Sequence, residues 1–331
     1  MKLQGVAAMA AALAVATSFL PARHAPSAET SSGFRVGLVF DVGGRGDKSF
    51  NDAAWAGLEE AQKDFAVQTR VYEPTSAEER ETALRMLAAS GFELVIAVGF
   101  VFTSDVDAVA HDYPAVRFAC VDYALHDGTP PNVEALEFRE EEGSFLVGAA
   151  AGLVSKSKVL GFVGGMKSPL IARFAEGFER GAKATCAECT VRSSYVGATP
   201  EAFRDPVRGK IVAASHIALG ADVLYHASGA TGRGVFEAAR EGRAFAIGVD
   251  RDQFDEAPEV MLTSMVKRVD IAVADAIRSA YRHEPVRPVV ALGIAEGGVD
   301  WVHEGPHAVH LPPSVIARVQ ELARGLRAPK P

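Results

Sequence analysis

The sequence predicts an α/β protein of two lobes, each with a parallel sheet, and three observations carry that prediction. Short apolar runs alternate with amphipathic helical segments along the chain. The alternation starts again after Phe138, giving two series of similar size. Behind an N-terminal leader roughly 300 residues remain, about twice a typical domain and enough for two sizeable cores.

The first series opens with Arg35–Phe40, a buried strand, followed by a Gly-rich turn and a helix from Ser49 to Phe65. Ser49 is placed as its N-cap, and Trp55, Leu58, Ala61 and Phe65 recur at helical spacing. Gln68–Tyr72 reads as a strand and Ala77–Ser90 as an amphipathic helix stopped by Gly91. Strand Leu94–Val98, a short helix near Asp105–His111 and strand Val116–Val121 follow. A βαβαβαβ run dictates parallel pairing through right-handed crossovers. After Asn132–Phe138 come a helix over Glu142–Ser155, strand Val159–Val163 and helix Ile171–Lys183. Strands Thr190–Tyr195, Val223–His226 and Ala244–Val249 are separated by helices near Gly209–Leu219 and Val235–Glu241. Met265–Tyr281 reads as one helix with Met265, Val269, Val273, Ile277 and Tyr281 on a stripe. Short strands at Val289–Gly293 and Val299–Val302 and a helix over Ser314–Arg327 close the chain.

The leader, MKLQGVAAMAAALAVATSFLPARH, has Lys2, an uncharged Ala-rich run through Leu20 and then small residues. That is the layout of a secretory signal peptide, with cleavage after Ala16 or in the Ala/Pro/Ser stretch up to Thr30. The mature chain is expected to be exported and soluble. A formal net charge of −8 argues against nucleic acid or an anionic membrane as the main partner. Cys186 and Cys189 form a CAEC in a loop-like segment. In an exported chain a small disulfide is the first reading and a thioredoxin-type redox pair the second, although no strand-to-helix junction carries the motif. Zinc is not expected, because no second Cys/His pair follows at finger spacing. Cys120 lies inside a strand and reads as a small buried hydrophobe.

Three aspartates fall where strands run out: Asp41 after RVGLVF, Asp122 after VRFACV and Asp250 after RAFAIGV. In an open parallel sheet ligands bind beyond the carboxyl ends of the strands, where carboxylates suit a neutral, hydroxyl-rich molecule. Aspartate is also a common turn and N-cap residue, so each position has a purely structural reading too. The segment Asp41–Asn51, DVGGRGDKSFN, has glycines for close approach of a ligand, but Asp47 before Lys48 breaks the phosphate-loop pattern and repels phosphate. Asn51 offers a donor and an acceptor to a base edge or another amide-like group. Phe50, Trp55 and Phe174 are candidates for stacking on a flat ring, with core packing the competing reading of Trp55. Gly229 opens a turn whose N–H groups can meet an uncharged ligand, and Lys267, off the stripe of its expected helix, points by pattern to solvent. Phe254 breaks a calcium-loop reading of Asp250–Asp255, and there is no nucleophile elbow, HExxH or histidine cluster. No catalytic residue, metal or cofactor is therefore expected.

Five ordered blocks carry a resemblance: VGLVFDVGGRGDKSFNDAAWAGLEEA, VLGFVGGMKSPLIARFAEGFERGAK, ADVLYHASGATGRGVFEAA, AIGVDRDQ and VMLTSMVKRVDIAV. Together they resemble the basic membrane protein family, ABC-transporter substrate-binding proteins of the purine nucleoside receptor type, from Phe34 to Gly293. The resemblance implies a type I periplasmic-binding-protein fold, two Rossmann-like lobes joined by a three-segment hinge. Lobe one is then expected over 34–138 plus 262–292, and lobe two over 139–261 plus 293–328. Asn51 and Asp122 would address a base, Asp250 and Lys267 a ribose, with Asp41, Phe50, Phe174 and Gly229 lining the cleft. The resemblance thus turns Lys267 from solvent toward the ligand. The implied protein is a monomer that delivers a nucleoside to an ABC permease. It would be periplasmic, because the leader lacks the lipobox cysteine of many relatives. A sensing module of the same fold is the first alternative, and a secreted nucleoside hydrolase built on Asp250, Asp252 and Asp255 the second. Ala230, where a larger residue facing the base is expected, leaves base and sugar preference open.

Overall fold

The computed structural model describes residues 33–327, so the expected leader lies outside the described residues. The first series holds β1 (Phe34–Val39), α1 (Phe50–Asp64), β2 (Val67–Tyr72), α2 (Ala77–Ala89), β3 (Leu94–Val98), α3 (Thr103–Asp112), β4 (Arg117–Val121) and β5 (Val133–Phe138). The second holds α4 (Glu140–Val154), β6 (Val159–Met166), α5 (Pro169–Thr185), β7 (Thr190–Gly197), α6 (Pro206–Ala218), β8 (Val223–Ala227), α7 (Gly232–Gly242) and β9 (Phe245–Asp250). Then follow β10 (Met261–Lys267), α8 (Val269–Tyr281), β11 (Val289–Leu292), β12 (Val299–Trp301) and α9 (Pro313–Arg327).

These strands form two sheets, ordered β11-β5-β4-β3-β1-β2 and β12-β10-β9-β8-β6-β7. The first is parallel throughout, whereas in the second the edge strand β12 runs antiparallel to β10. Helices cover both faces of each sheet. In lobe one α1 pairs with α8 and α2 with α3; in lobe two α4 pairs with α5 and α6 with α7. All five residues of β3, LVIAV, are buried, as a doubly covered parallel strand requires. Each sheet reverses direction of growth beside its first strand, between β1 and β3 and between β6 and β8. Such a switch point opens a crevice beyond the carboxyl ends of the strands.

The chain passes between the sheets three times, at Arg139, at Arg268 and over residues 293–298. The second crossing corrects two expectations. Residues 262–267 belong to β10 of the second sheet, not to lobe one. The helix expected from Met265 starts only at Val269, because Met265 is a strand residue paired with Val249 and Trp301. A strand buried on both faces carries no alternation, so its apolar residues continued the helical stripe by coincidence. Among the described residues no helix is long and apolar enough to cross a membrane.

Candidate functional site

The crevices of the two sheets face each other across one cavity, which measures about 570 Å³ when taken to its open edge. Its wall includes Asp41, Phe50, Asn51, Asp122, Phe174, Gly229, Asp250 and Lys267, eight of the nine ligand positions expected from sequence. Trp55 stands apart: its ring packs on Phe40, with the Arg45 guanidinium 3.8 Å from its centroid, and it is not on the wall. Trp55 is partly buried and packs against the hydrophobic core, in keeping with its position on the apolar stripe of α1.

Strand ends place the acidic groups. Asp122 follows β4 and Asp250 ends β9, and both adopt left-handed backbone, with φ of 61° and 66°. Asp41 follows β1, and its carboxylate lies against Gly99 at the end of β3. A Cβ at Gly99, whose φ is 115°, would stand 2.6 Å from Asp41 Oδ2, so glycine is what makes room for the carboxylate. The Val42 N–H donates to Asp41 Oδ1 at 2.6 Å, and the Asp41 N–H donates to Asn51 Oδ1 at 3.0 Å.

Lys267 reaches this site because it ends a strand. Its ammonium is buried, with Nζ 2.7 Å from both carboxylate oxygens of Asp122 and 3.1 Å from Glu140 Oε1. The rings of Phe138, Phe50 and Phe174 surround it, with centroids 4.9, 5.2 and 5.6 Å from Nζ. The solvent-facing reading of Lys267 assumed a helix that does not extend so far. Burial works against its charge, but Asp122, Glu140 and Asp250 outweigh it and hold the ammonium above its usual range. Burial likewise lifts Asp41 to about 7, and Asp122 and Asp250 to about 6 despite the pull of Lys267 on both.

The Gly-rich turn before α1 is ordered by a residue the sequence reading assigned no positive role. Asp47 accepts the N–H groups of Ser49, Asn51 and Asp52 at 2.9, 2.9 and 3.1 Å and the Asn51 side-chain amide at 3.1 Å. Ser49 sits at the N-cap position but makes no cap bond with its side chain; its hydroxyl donates across the cleft to Asp250. Asn51 is therefore engaged at both ends, leaving one amide hydrogen and one lone pair for a ligand. Sequence reasoning also missed Phe100, Phe203, Leu170 and Ser228 on the wall and Glu140 behind it. Phe100 and Phe203 come from opposite lobes and meet edge to face at 6.3 Å. Nothing local marks Phe203, which sits on a single turn after β7.

Away from the cleft, Cys186 and Cys189 are joined as a disulfide just past α5, and Cys120 is buried in β4. Among the described residues no group of three or more His, Cys, Asp or Glu is arranged to hold a metal ion. The site is thus an acidic, ring-lined gap whose walls belong to two lobes.

Comparison with known proteins points the same way. A family model described as ABC transporter substrate-binding protein PnrA-like matches residues 34–316. The CD4+ T-cell-stimulating antigen of Listeria monocytogenes is 35% identical, over 88% of this chain and 86% of its own length. The ABC transporter nucleoside-binding protein BmpA of Lactococcus lactis is 29% identical, over 91% of each chain. Among solved structures, an ABC transporter solute-binding protein from Aeropyrum pernix superposes with a TM-score of 0.76 at 31% identity, covering 89% of this chain and 86% of that one.

Proposed function

This chain belongs to the PnrA-like family of ABC transporter substrate-binding proteins, and on that premise we propose that it captures a nucleoside between its lobes and delivers it to an ABC permease. The observation that carries the reading is the composition of the cavity wall. Carboxylates from both lobes, Asp41 and Asp122 on one side and Asp250 on the other, share a gap with Phe50, Phe174 and Phe203. A flat base between phenylalanine rings and a sugar whose hydroxyls donate to carboxylates meets both halves of that wall. A nucleotide phosphate does not, because the wall is acidic and its ammonium is already paired.

Capture proceeds by closure. A ligand that touches both lobes favours the form in which both walls are close, and binding shifts the population toward it. Hydrogen bonds to charged groups contribute roughly 1.5–3 kcal/mol each, so a few of them with stacking reach micromolar to nanomolar affinity, about −8 to −12 kcal/mol. Asn51 and Asp122 are assigned to the base, Asp250 and Lys267 to the ribose. To reach a hydroxyl, Lys267 exchanges part of its pairing with Asp122 or Glu140. We assign the chain an exported, periplasmic location and a monomeric state. The name of the Lactococcus lactis relative supports a nucleoside as ligand. The hydrolase alternative loses its acidic cluster: Asp250 faces the cavity, whereas Asp252 pairs with His307 and Asp255 is exposed.

Calorimetry of the mature protein with inosine, guanosine, adenosine, uridine and cytidine tests the proposal. At least one should bind, and Asp250→Ala should weaken it at least about tenfold with the fold intact. A protein that binds none of the five, or an Asp250→Ala variant that binds as well as wild type, would overturn the assignment.

A further inference from the structure

A buried chain of hydrogen bonds runs from the cavity wall through lobe two and ends on lobe one. It starts at Ser228, a wall residue only 1% exposed, whose Oγ lies 3.2 Å from His226 Nδ1. On the far side of the ring, His226 Nε2 lies 3.1 Å from Gln253 Oε1. Gln253 Nε2 then donates at 3.0 Å to the carbonyl of Lys48, in the Gly-rich turn of the opposite lobe.

Two backbone groups fix the polarity of this chain. The Val249 N–H can only donate, and it donates to Gln253 Oε1 at 2.8 Å; the Lys48 carbonyl can only accept. Gln253 therefore turns its oxygen toward His226, and Nε2 of the ring must carry a hydrogen. Burial lowers the His226 pKa to about 4, so at neutral pH the ring is uncharged and its Nδ1 is bare. A bare nitrogen only accepts, so the hydroxyl hydrogen of Ser228 points inward. The ring has no room to turn. A Cβ at Gly232 would stand 2.1 Å from His226 Cε1, and Phe236 closes another side edge-on at 5.1 Å.

We infer that Ser228 is a specificity-determining residue of the cavity, offering the ligand a hydrogen-bond acceptor and no donor. A bound molecule must then bring an N–H or O–H group to this point, and one presenting a carbonyl or ether oxygen there is rejected. His226 and Gln253 are positioning residues that act through Ser228. The choice of probes rests on the nucleoside reading above; the proton placement does not.

Two measurements test the inference. Nitrogen-15 NMR of His226 in the ligand-free wild-type protein at neutral pH should show a ring protonated at Nε2 and bare at Nδ1. A ring protonated at Nδ1 overturns the inference whatever the protein binds. Calorimetry then compares the nucleoside that binds best with its 2′-deoxy, 3′-deoxy, 5′-deoxy and N-methyl derivatives, each lacking one donor. One derivative should lose about tenfold or more in wild type, and that penalty should shrink to about twofold or less in Ser228→Ala. The same penalties in both proteins overturn it. If no nucleoside binds wild type, the ligand assignment fails, and the His226 proton still decides the polarity at Ser228.

Discussion

Asp122 and Asp250 hold matching places in the two lobes, each at the end of a strand with its backbone in the left-handed region. Non-glycine residues there carry a cost of about 1 kcal/mol or more, which aspartate bears better than most. Glycine would remove the strain and the carboxylate together, so the strained aspartates fit a site that needs the carboxylates. Their burial sets a pH dependence. Asp41, Asp122 and Asp250 have folded-state pKa values of about 7, 6 and 6, all above the ordinary value of 3.8. Groups raised in this way hold more protons in the folded than in the unfolded chain. Their contribution to stability is complete below about pH 4 and is lost as the pH rises through about 6 to 7. A ligand that donates to the ionised carboxylates acts in the opposite sense and tightens as the pH rises. Nucleoside affinity should therefore increase from pH 5 to pH 8, and binding near pH 6.5 should release protons. Calorimetry in buffers of different ionisation enthalpy reads that release; a null result would mean the ligand does not prefer the charged forms.

Among the elements, α1 and the α4–α5 pair show how local sequence serves the site. Asp47 takes over the capping of α1, which frees Ser49 to cross the cleft and hold Asp250. Asp47 serves the helix, and Ser49, two residues further on, serves the other lobe. In lobe two, α4 and α5 approach so closely that three glycines are obligatory. A Cβ at Gly181 would stand 1.9 Å from the Phe145 carbonyl oxygen, at Gly148 2.2 Å from that of Phe178, and at Gly177 2.5 Å from that of Glu141. Close packing of this pair sets Phe174 and Glu140, on α5 and α4, beside Lys267. Gly181→Ala should destabilise the protein by about 1–3 kcal/mol through overpacking. Its midpoint in urea should fall accordingly, and an unchanged midpoint would contradict this packing.

At the scale of the whole molecule the lobes touch directly as well as through any ligand. Ser49 bonds Asp250, Gln253 bonds the Lys48 carbonyl, Arg233 bonds the Gly46 carbonyl, and Asp122 pairs with Lys267. These bonds hold the two lobes together across the cleft, and of the four only the Arg233 contact involves no residue assigned to ligand binding or to the polarity of Ser228. Arg233 is outside the cavity wall, so Arg233→Ala isolates the effect. It should weaken all nucleosides alike, by about three- to tenfold, since only the closed population changes. A change in the ratio of affinities between two nucleosides would place Arg233 in contact with ligand instead. Small-angle scattering should show the variant more extended without ligand and contracting on its addition.

The alternation of strands and helices, the doubling of the series and the three aspartates at strand ends follow from local pattern, because period and strand termini are written in neighbouring residues. So do Phe50 and Asn51, in the segment that follows β1, and Gly229, just past the end of β8. Lys267 and the start of α8 were misplaced by pattern alone, since a fully buried strand and a buried helix look alike over a few residues. Ser49, Glu140, Phe203 and Ser228 acquire their roles only when segments up to about two hundred residues apart are brought together, as the separation of 201 between Ser49 and Asp250 shows. Asp47, by contrast, bonds only residues two to five positions further on. Whether a hydroxyl donates or accepts is more remote still. At Ser228 it depends on a ring, an amide and two backbone groups whose relative positions exist only in the folded molecule.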